Sequence, residues 1–451
     1  MILREFVFLS LLVFLASPAG AKGEWKYATP MPNSRYAHDA TLGKDGNIYV
    51  MGGLVCDYYG CDYCMPDKYN FGTYSNISFN ISQNKWIILE PVPGAANSRG
   101  VYQFYDREKD SWLIMRQVKN KKDTFKIILP PEQEGNIINM DKEKLRNTDL
   151  GRQGDGVAIA TGKEGLIYWV GGRGEWNRHG EKIVLEYDPV KKKWPEAQPF
   201  VDFKSPCIAV TRTVYEPLIP PMQFARIDHE ALVTSDGMIY VMGGRWEEVY
   251  MDPDDFQWIH PYVLDSVECY DFGKKKWEFK TPMSSKRFLF AAVVGPDDKI
   301  YVFGGAQILR EDGTRPVFDV TEVYDPGTDT WSTRSPMPEE RYGHAAVLGS
   351  DNRIYVMGGS GGRGERPPER DLFIYDPVLD KWQRGPDMNL PRSMFAAVAT
   401  PDGKIYAIGG TDIGAYRYKN LFNLFIPKNR EFYTGKVQDT VEVLDIHELD
   451  K

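Results

Sequence analysis

Cysteine is scarce, five in 451 residues, and long apolar runs are absent. The most extended one, Phe6 to Ala16, falls well short of the roughly 20 residues a spanning helix needs. No membrane span is therefore expected. Positive charge is in deficit as well, and a formal net charge of -8 argues against a nucleic-acid partner. No Ser-His-Asp order, metal motif or phosphate-cradling loop is found, so the residues alone point to no catalytic group, no metal and no cofactor. Turn formers are plentiful instead: 42 Gly and 30 Pro beside 42% hydrophobic residues suit many short strands joined by tight turns.

Those strands repeat. The segment Lys299 to Gly305 reads Lys-Ile-Tyr-Val-Phe-Gly-Gly, and near-copies occur at Asn47 to Gly53, Leu166 to Gly172, Met238 to Gly244, Arg353 to Gly359 and Lys404 to Gly410. An aromatic and β-branched run of this length reads as a buried strand, and the paired glycines let the backbone turn where a Cβ would clash. Around one copy the unit extends from Arg287 through Ala291-Ala292-Val293-Val294 and the glycine doublet to Glu322-Val323-Tyr324-Asp325-Pro326, Trp331 and Met337, which makes four strands. Two registers stay in step. Tyr324 precedes Trp331 as Phe79 precedes Trp86, Tyr187 Trp194, Tyr270 Trp277 and Tyr375 Trp382; Trp331, Met337, Arg341 is matched by Trp277, Met283, Arg287 and by Trp382, Met388, Arg392.

A glycine doublet followed by a spaced Tyr and Trp resembles the kelch-repeat family, over nearly the whole mature chain. The resemblance implies units of about 50 residues, each folding as one four-stranded blade of a β-propeller. The doublets (52-53, 171-172, 243-244, 304-305, 358-359, 409-410) count six units, but the arginines that open each unit count seven: Arg35, Arg99, Arg152, Arg226, Arg287, Arg341 and Arg392. The extra unit, about 99-144, lacks the doublet yet reads as strands at Val101 to Tyr105, Trp112 to Met115 and Phe125 to Leu129. The expected fold is all-β, a seven-bladed propeller whose second blade is degenerate. The chain ends on a third strand, Thr440 to Asp445, and begins with a fourth, around Trp25; pairing them closes the last blade and covers two bare edges.

Residues 1-21, with Arg4, the apolar run, Pro18 and Ala19-Gly20-Ala21, read as a secretory signal peptide, leaving 22-451 as a single propeller domain. Cys56, Cys61 and Cys64 crowd one loop; their spacing resembles the opening of a plant-type iron-sulfur motif without its fourth ligand, and export favours a local disulfide whose pairing is not deducible. Cys207 and Cys269, in neighbouring units, either bridge or fill small buried spaces. Asn76 and Asn80 open Asn-x-Ser sequons, with Asn80 expected to be exposed in a turn. The lysine runs 191-193 and 274-276 read as solvated turns.

In a four-stranded antiparallel meander, the loop after the second strand and the connection to the next blade emerge on one face. That face gathers the irregular segments, including Trp176, Arg178, Trp246 and Tyr416. Aromatic and arginine side chains on rigid blades suit a protein or glycan ligand, acidic if a circle of guanidiniums from Arg35, Arg152, Arg226, Arg287, Arg341 and Arg392 faces the channel mouth. The competing reading makes those arginines structural donors between blades. A second circle, three residues on, is His38, Tyr102, Asp155, His229, Phe290, His344 and Phe395, read as packing rather than metal ligation. The resemblance implies binding more often than catalysis, so the expected function is an exported non-catalytic binding module. The alternatives are enzymes of exported kelch type: a sialic-acid mutarotase, with Arg226, His229 and Glu230 as nominal groups, or a copper radical oxidase, for whose added domains the chain has no residues left over.

Overall fold

Each apolar-aromatic run becomes the second strand of an antiparallel sheet, because burial on both faces demands residues that fill space without stranding polar atoms. Ile300, Tyr301, Val302 and Phe303 are at most 3% exposed, and Ile239–Met242 and Ile354–Met357 repeat the pattern. A computed structural model describes residues 23-56, 70-72, 76-89, 101-106, 111-117, 125-128, 156-172, 181-194, 219-251, 257-308, 316-361, 368-412 and 437-449.

The sheets form a propeller of six blades, not seven. From inner to outer strand the first blade is Ser34–Leu42, Ile48–Cys56, Ile77–Asn80 and Lys85–Ile88. The second is Val157–Thr161, Ile167–Gly171 and Val184–Tyr187, with an Asp188–Lys193 bridge at its outer edge. The third to fifth have inner strands Glu230–Val233, Ala291–Val294 and Ala345–Leu348 and outer strands Lys276–Lys280, Thr330–Arg334 and Lys381–Arg384. In the sixth, Ala396–Ala399, Lys404–Ile408 and Val441–Asp445 are completed by Lys26–Ala28, with Tyr27 opposite Glu442. The expected closure is therefore present.

The expected second blade takes no seat in the ring. Val101–Asp106, Ser111–Gln117 and Phe125–Ile128 do form strands, but they pair only with one another among the described residues. The first blade meets the next glycine-doublet blade directly: Ile159 donates its amide to Asp39 Oδ2 at 2.7 Å, and the Thr41 and Thr161 hydroxyls lie 2.9 Å apart. Tyr49 and Met51 share one apolar core with Val157, Ile159 and Trp169. No gap is left for a blade.

A belt of backbone hydrogen bonds fixes the number. Ala37 donates to Met394, Met394 to Gly343, Gly343 to Leu289, Leu289 to Asp228, Asp228 to Gly156 and Gly156 to Ala37, at 2.8–3.0 Å. All six residues have φ between 52° and 63°. Leucine and methionine rarely enter this left-handed region, and only the bond each makes to the adjacent blade offsets the cost. Farther out, indole nitrogens of Trp86, Trp331 and Trp382 reach carbonyls of Thr29, Thr281 and Ser335 in the preceding blade at 2.8–2.9 Å. These bonds explain the spaced Trp of the repeat.

Candidate functional site

The ring arginines do not face a ligand. Arg35, Arg226, Arg287, Arg341 and Arg392 are at most 1% exposed, which corrects the expectation that they line a channel mouth. Burying a guanidinium is tolerable where its charge is matched and most of its donors are met, and here the Nη groups carry the bonds while the Nε of Arg226, Arg341 and Arg392 makes none. Arg226 donates to the Gly243 carbonyl at 2.6 Å and pairs with Glu268 at 2.8 Å. Arg287 pairs with Glu322, Arg341 with Asp371 at 3.0 Å and Arg392 with Glu442 at 2.7 Å. In the first blade Ile77 stands where Glu268, Glu322 and Glu442 stand, and Asn33 Oδ1 accepts from Arg35 Nη2 at 2.7 Å instead. Arg226, Arg287, Arg341 and Arg392 thus tie the start of their units to their own glycine doublets and third-strand segments, while Arg35 reaches its doublet at the Gly52 carbonyl. Arg152 lies outside the described residues; the hydrogen-bond belt aligns Gly156 with Ala37, so position 154, not 152, matches Arg35, and Val157, not Asp155, matches His38.

The histidines sit between blades. His38, His229 and His344 are 5% exposed, and His38 Nε2 lies 3.0 Å from the Ile408 carbonyl of the sixth blade. Desolvation, with the adjacent ring arginine, pushes all three down to about 3, so they are neutral imidazoles. Phe290 and Phe395 fill the same seat in the fourth and sixth blades, which shows that the seat asks for a planar ring rather than a ligand. Among the described residues no cluster of three His, Cys, Asp or Glu side chains is placed to hold a metal.

The axial cavity, about 340 Å³, is lined by all six inner strands and is mostly Ala, Val, Leu and Thr. Two carboxyls break this neutrality. Burial raises Asp39 to about 6 against the pull of its two amide donors, and burial together with the Asp39 charge holds Glu230 well above the usual carboxylate range. Sequence reasoning missed Asp39. Strand alternation sends Glu230 to the cavity and His229 into the blade interface, while Arg226 is locked on Glu268, so the nominal mutarotase trio is not brought together.

The two rims differ. Turns between first and second strands, such as Gly43 to Asn47 and Gly349 to Arg353, and between third and fourth, such as Asp325 to Thr330, are short and closed by their own hydrogen bonds. The connections from second to third strands, and from each blade to the next, leave from the other rim, because both follow strands of one direction. There the strands Arg245–Met251 and Gln257–Val263 form a two-stranded ribbon, with Trp246 stacked on Tyr262 at 4.4 Å. At its root Arg245 Nε pairs with Asp228 at 2.8 Å, which anchors the ribbon to the hydrogen-bond belt. Trp176, Arg178, Tyr416, Cys61, Cys64 and Cys207 lie outside the described residues, as do residues 1-21. Cys56 ends the strand Ile48–Cys56, and Cys269 is a buried free thiol pushed up to about 11 by desolvation. Asn76 is fully buried, so the folded blade has no room for a glycan there; Asn80 is half-buried in its turn, its Oδ1 accepting from Ser82 and Gln83.

Comparison with known proteins agrees with this geometry. The KLHDC2/KLHL20/DRC7 Kelch-repeats domain model matches residues 228–442. Over that span the chain is a kelch-repeat domain, and the blades before it carry the same glycine doublets. Similar chains include beta-scruin of Limulus polyphemus, 34% identical over 51% of this chain and 21% of that one. Kelch-like protein 25 of Xenopus tropicalis is 29% identical over 56% of this chain and 36% of its own. Alpha-scruin of Limulus polyphemus is 33% identical over 31% and 15%. This kelch chain thus spans well under half the length of these relatives.

Proposed function

We propose that this kelch propeller is a non-catalytic binding module that takes a protein ligand on its elaborated rim. The observation that carries the reading is the one-sidedness of the ring: all the long connections leave one rim of a scaffold whose other rim is held in short turns. Rigid scaffolds presenting variable loops are built for recognition. The burial of the ring arginines in ion pairs supports it from the other side, since the guanidiniums hold the blades and leave recognition to the loops. A glycan ligand is the second reading, favoured by the stacked Trp246 and Tyr262 faces beside the mouth. Export, supported by the apolar run after Arg4 and the Ala19-Gly20-Ala21 pattern, belongs to the same proposal.

The test is affinity capture from the protein's own source with the full chain and with a variant whose ribbon, residues 246-262, is replaced by a short glycine turn. The expected result is a discrete protein partner lost in the variant at an unchanged melting temperature. Undiminished capture by the variant, or binding on a glycan array with no protein partner, contradicts the reading.

A further inference from the structure

The turn between third and fourth strands contains one residue in the left-handed region in five of the six blades. It is Asn84, Asp329 and Asp380 in the first, fourth and fifth, but Lys192 and Lys275 in the adjacent second and third, with φ of 50–54° throughout. Asparagine and aspartate tolerate this conformation; lysine does so poorly. The acids also serve the fold. Asp329 accepts the Tyr324 hydroxyl at 2.6 Å and the Thr281 amide at 2.8 Å, and Asp380 accepts from Tyr375 at 2.7 Å and Ser335 at 2.9 Å. An ammonium can accept neither bond. Neither Lys192 nor Lys275 pairs with an acid among the described residues, and both are exposed. Twice, on neighbouring blades, a residue useful to folding is replaced by an unmatched positive charge.

The surroundings extend the pattern. Each turn is Asp, an apolar residue at or beside its tip, then three lysines: Val190 is 88% exposed ahead of Lys191, Lys192 and Lys193, and Phe272 is 40% exposed ahead of Lys274, Lys275 and Lys276. The Phe272 ring lies 5.9 Å from Tyr168 of the second blade, so the two turns share one edge of the ring. Asp188, Asp271 and Glu278 pair with Lys191, Lys274 and Lys276, which leaves this edge positive in a chain of net charge -8. The fifth blade shows that the charge is local: its turn has apolar tips too, Val378 at 86% and Leu379 at 62%, but Asp376 and Asp380 flank them.

We infer that this edge docks the ring on an anionic lipid surface. Lysines near such a surface are attracted to its headgroups, and an apolar tip among them enters the interface, which supplies the two signals that reversible membrane binding needs. The acids in the corresponding turns of the fourth and fifth blades are repelled, so the ring is held by one edge, with its elaborated rim clear of the membrane. The exposed apolar tips favour lipid over an acidic protein, for which lysines alone would suffice.

Co-sedimentation of the full chain with phosphatidylcholine vesicles, and with vesicles containing about a third phosphatidylserine, tests the inference. The expected result is binding to the anionic vesicles only, weakened by salt. The double variant Lys192→Asp and Lys275→Asp, which installs the residue of the fourth and fifth blades, loses about thirtyfold or more in partitioning, from about 1 kcal/mol per lysine, without a lower melting temperature. Val190→Ser with Phe272→Ser weakens binding severalfold and leaves its salt dependence in place. Equal binding to both vesicles, none to either, or no effect of the aspartate variant overturns the inference. Retention on poly-glutamate without vesicle binding overturns it in favour of an acidic protein.

Discussion

Glu442→Ala unties the blade in which the two chain ends meet. The Arg392 guanidinium, fully buried, donates to the Gly409 and Thr440 carbonyls at 2.6 and 3.1 Å, to Thr440 Oγ1 at 2.9 Å and to Glu442 at 2.7 Å. Glu442 also accepts the amides of Asn389 at 2.7 Å and Leu390 at 3.1 Å. Alanine leaves a buried cation without its counter-charge and two amides without an acceptor. Breaking a buried pair from one side costs about 3–5 kcal/mol, a large share of the roughly 5–15 kcal/mol that holds a domain folded. We expect a loss near the middle of that range, read by guanidinium denaturation as a lower midpoint at an unchanged slope. The double variant Arg392→Met, Glu442→Leu recovers the part owed to the stranded cation, because apolar residues of similar volume replace buried pairs at little cost, while the Asn389 and Leu390 amides stay without an acceptor. A loss under about 1 kcal/mol for Glu442→Ala would mean that the pair behaves as a solvated one, and the structural role given to the ring arginines would fail.

Three further outcomes follow from the same geometry. His38, His229 and His344 are held neutral by pKa values of about 3, below their unfolded value, so the unfolded chain gains protons first and stability is lost as pH falls from about 6.5 towards 3. His344→Phe, which copies the residue of the fourth and sixth blades, removes up to one proton, or about 1.4 kcal/mol per pH unit, from that slope in calorimetric melts across pH. Asp39 and Glu230 are raised in the fold, so their contribution is lost as pH rises through about 4 to 6 and above; Glu230→Gln raises the melting temperature more at pH 8 than at pH 5. Gly304→Ala puts a Cβ 2.5 Å from the Arg341 carbonyl at φ +57°, and we expect a loss of about 2 kcal/mol or more in chemical denaturation.

The blade itself could be read from the chain because its demands are local. Glycine doublets mark positive φ, the spaced Tyr donates its hydroxyl to the turn aspartate and the spaced Trp donates between blades; each constraint selects a residue type. Blade number was not legible in the same way. Val101–Asp106 and its partners are strands as expected, but a strand pattern does not say which sheet it joins, and the seat is decided by Asp39, Thr41 and Gly156 meeting across the first two blades. Counting arginines also slipped the second blade's register by two residues, since position 154 is glycine. The burial of the ring arginines had a signal that went unused: Glu268, Glu322 and Glu442 recur two residues before Tyr270, Tyr324 and Leu444, a charge pattern in step with the arginines. The left-handed belt at Leu289 and Met394 had none, because their conformation is imposed by neighbouring blades.

The most direct test of a six-bladed ring is a cross-link between its first two blades. With Thr41 and Thr161 both replaced by cysteine, side chains whose hydroxyls lie 2.9 Å apart should form a disulfide under mild oxidation, identified as a linked peptide pair by mass spectrometry. If the 101–128 strands sat between those blades as a seventh, the two thiols would stand a blade apart, and both would remain open to alkylation.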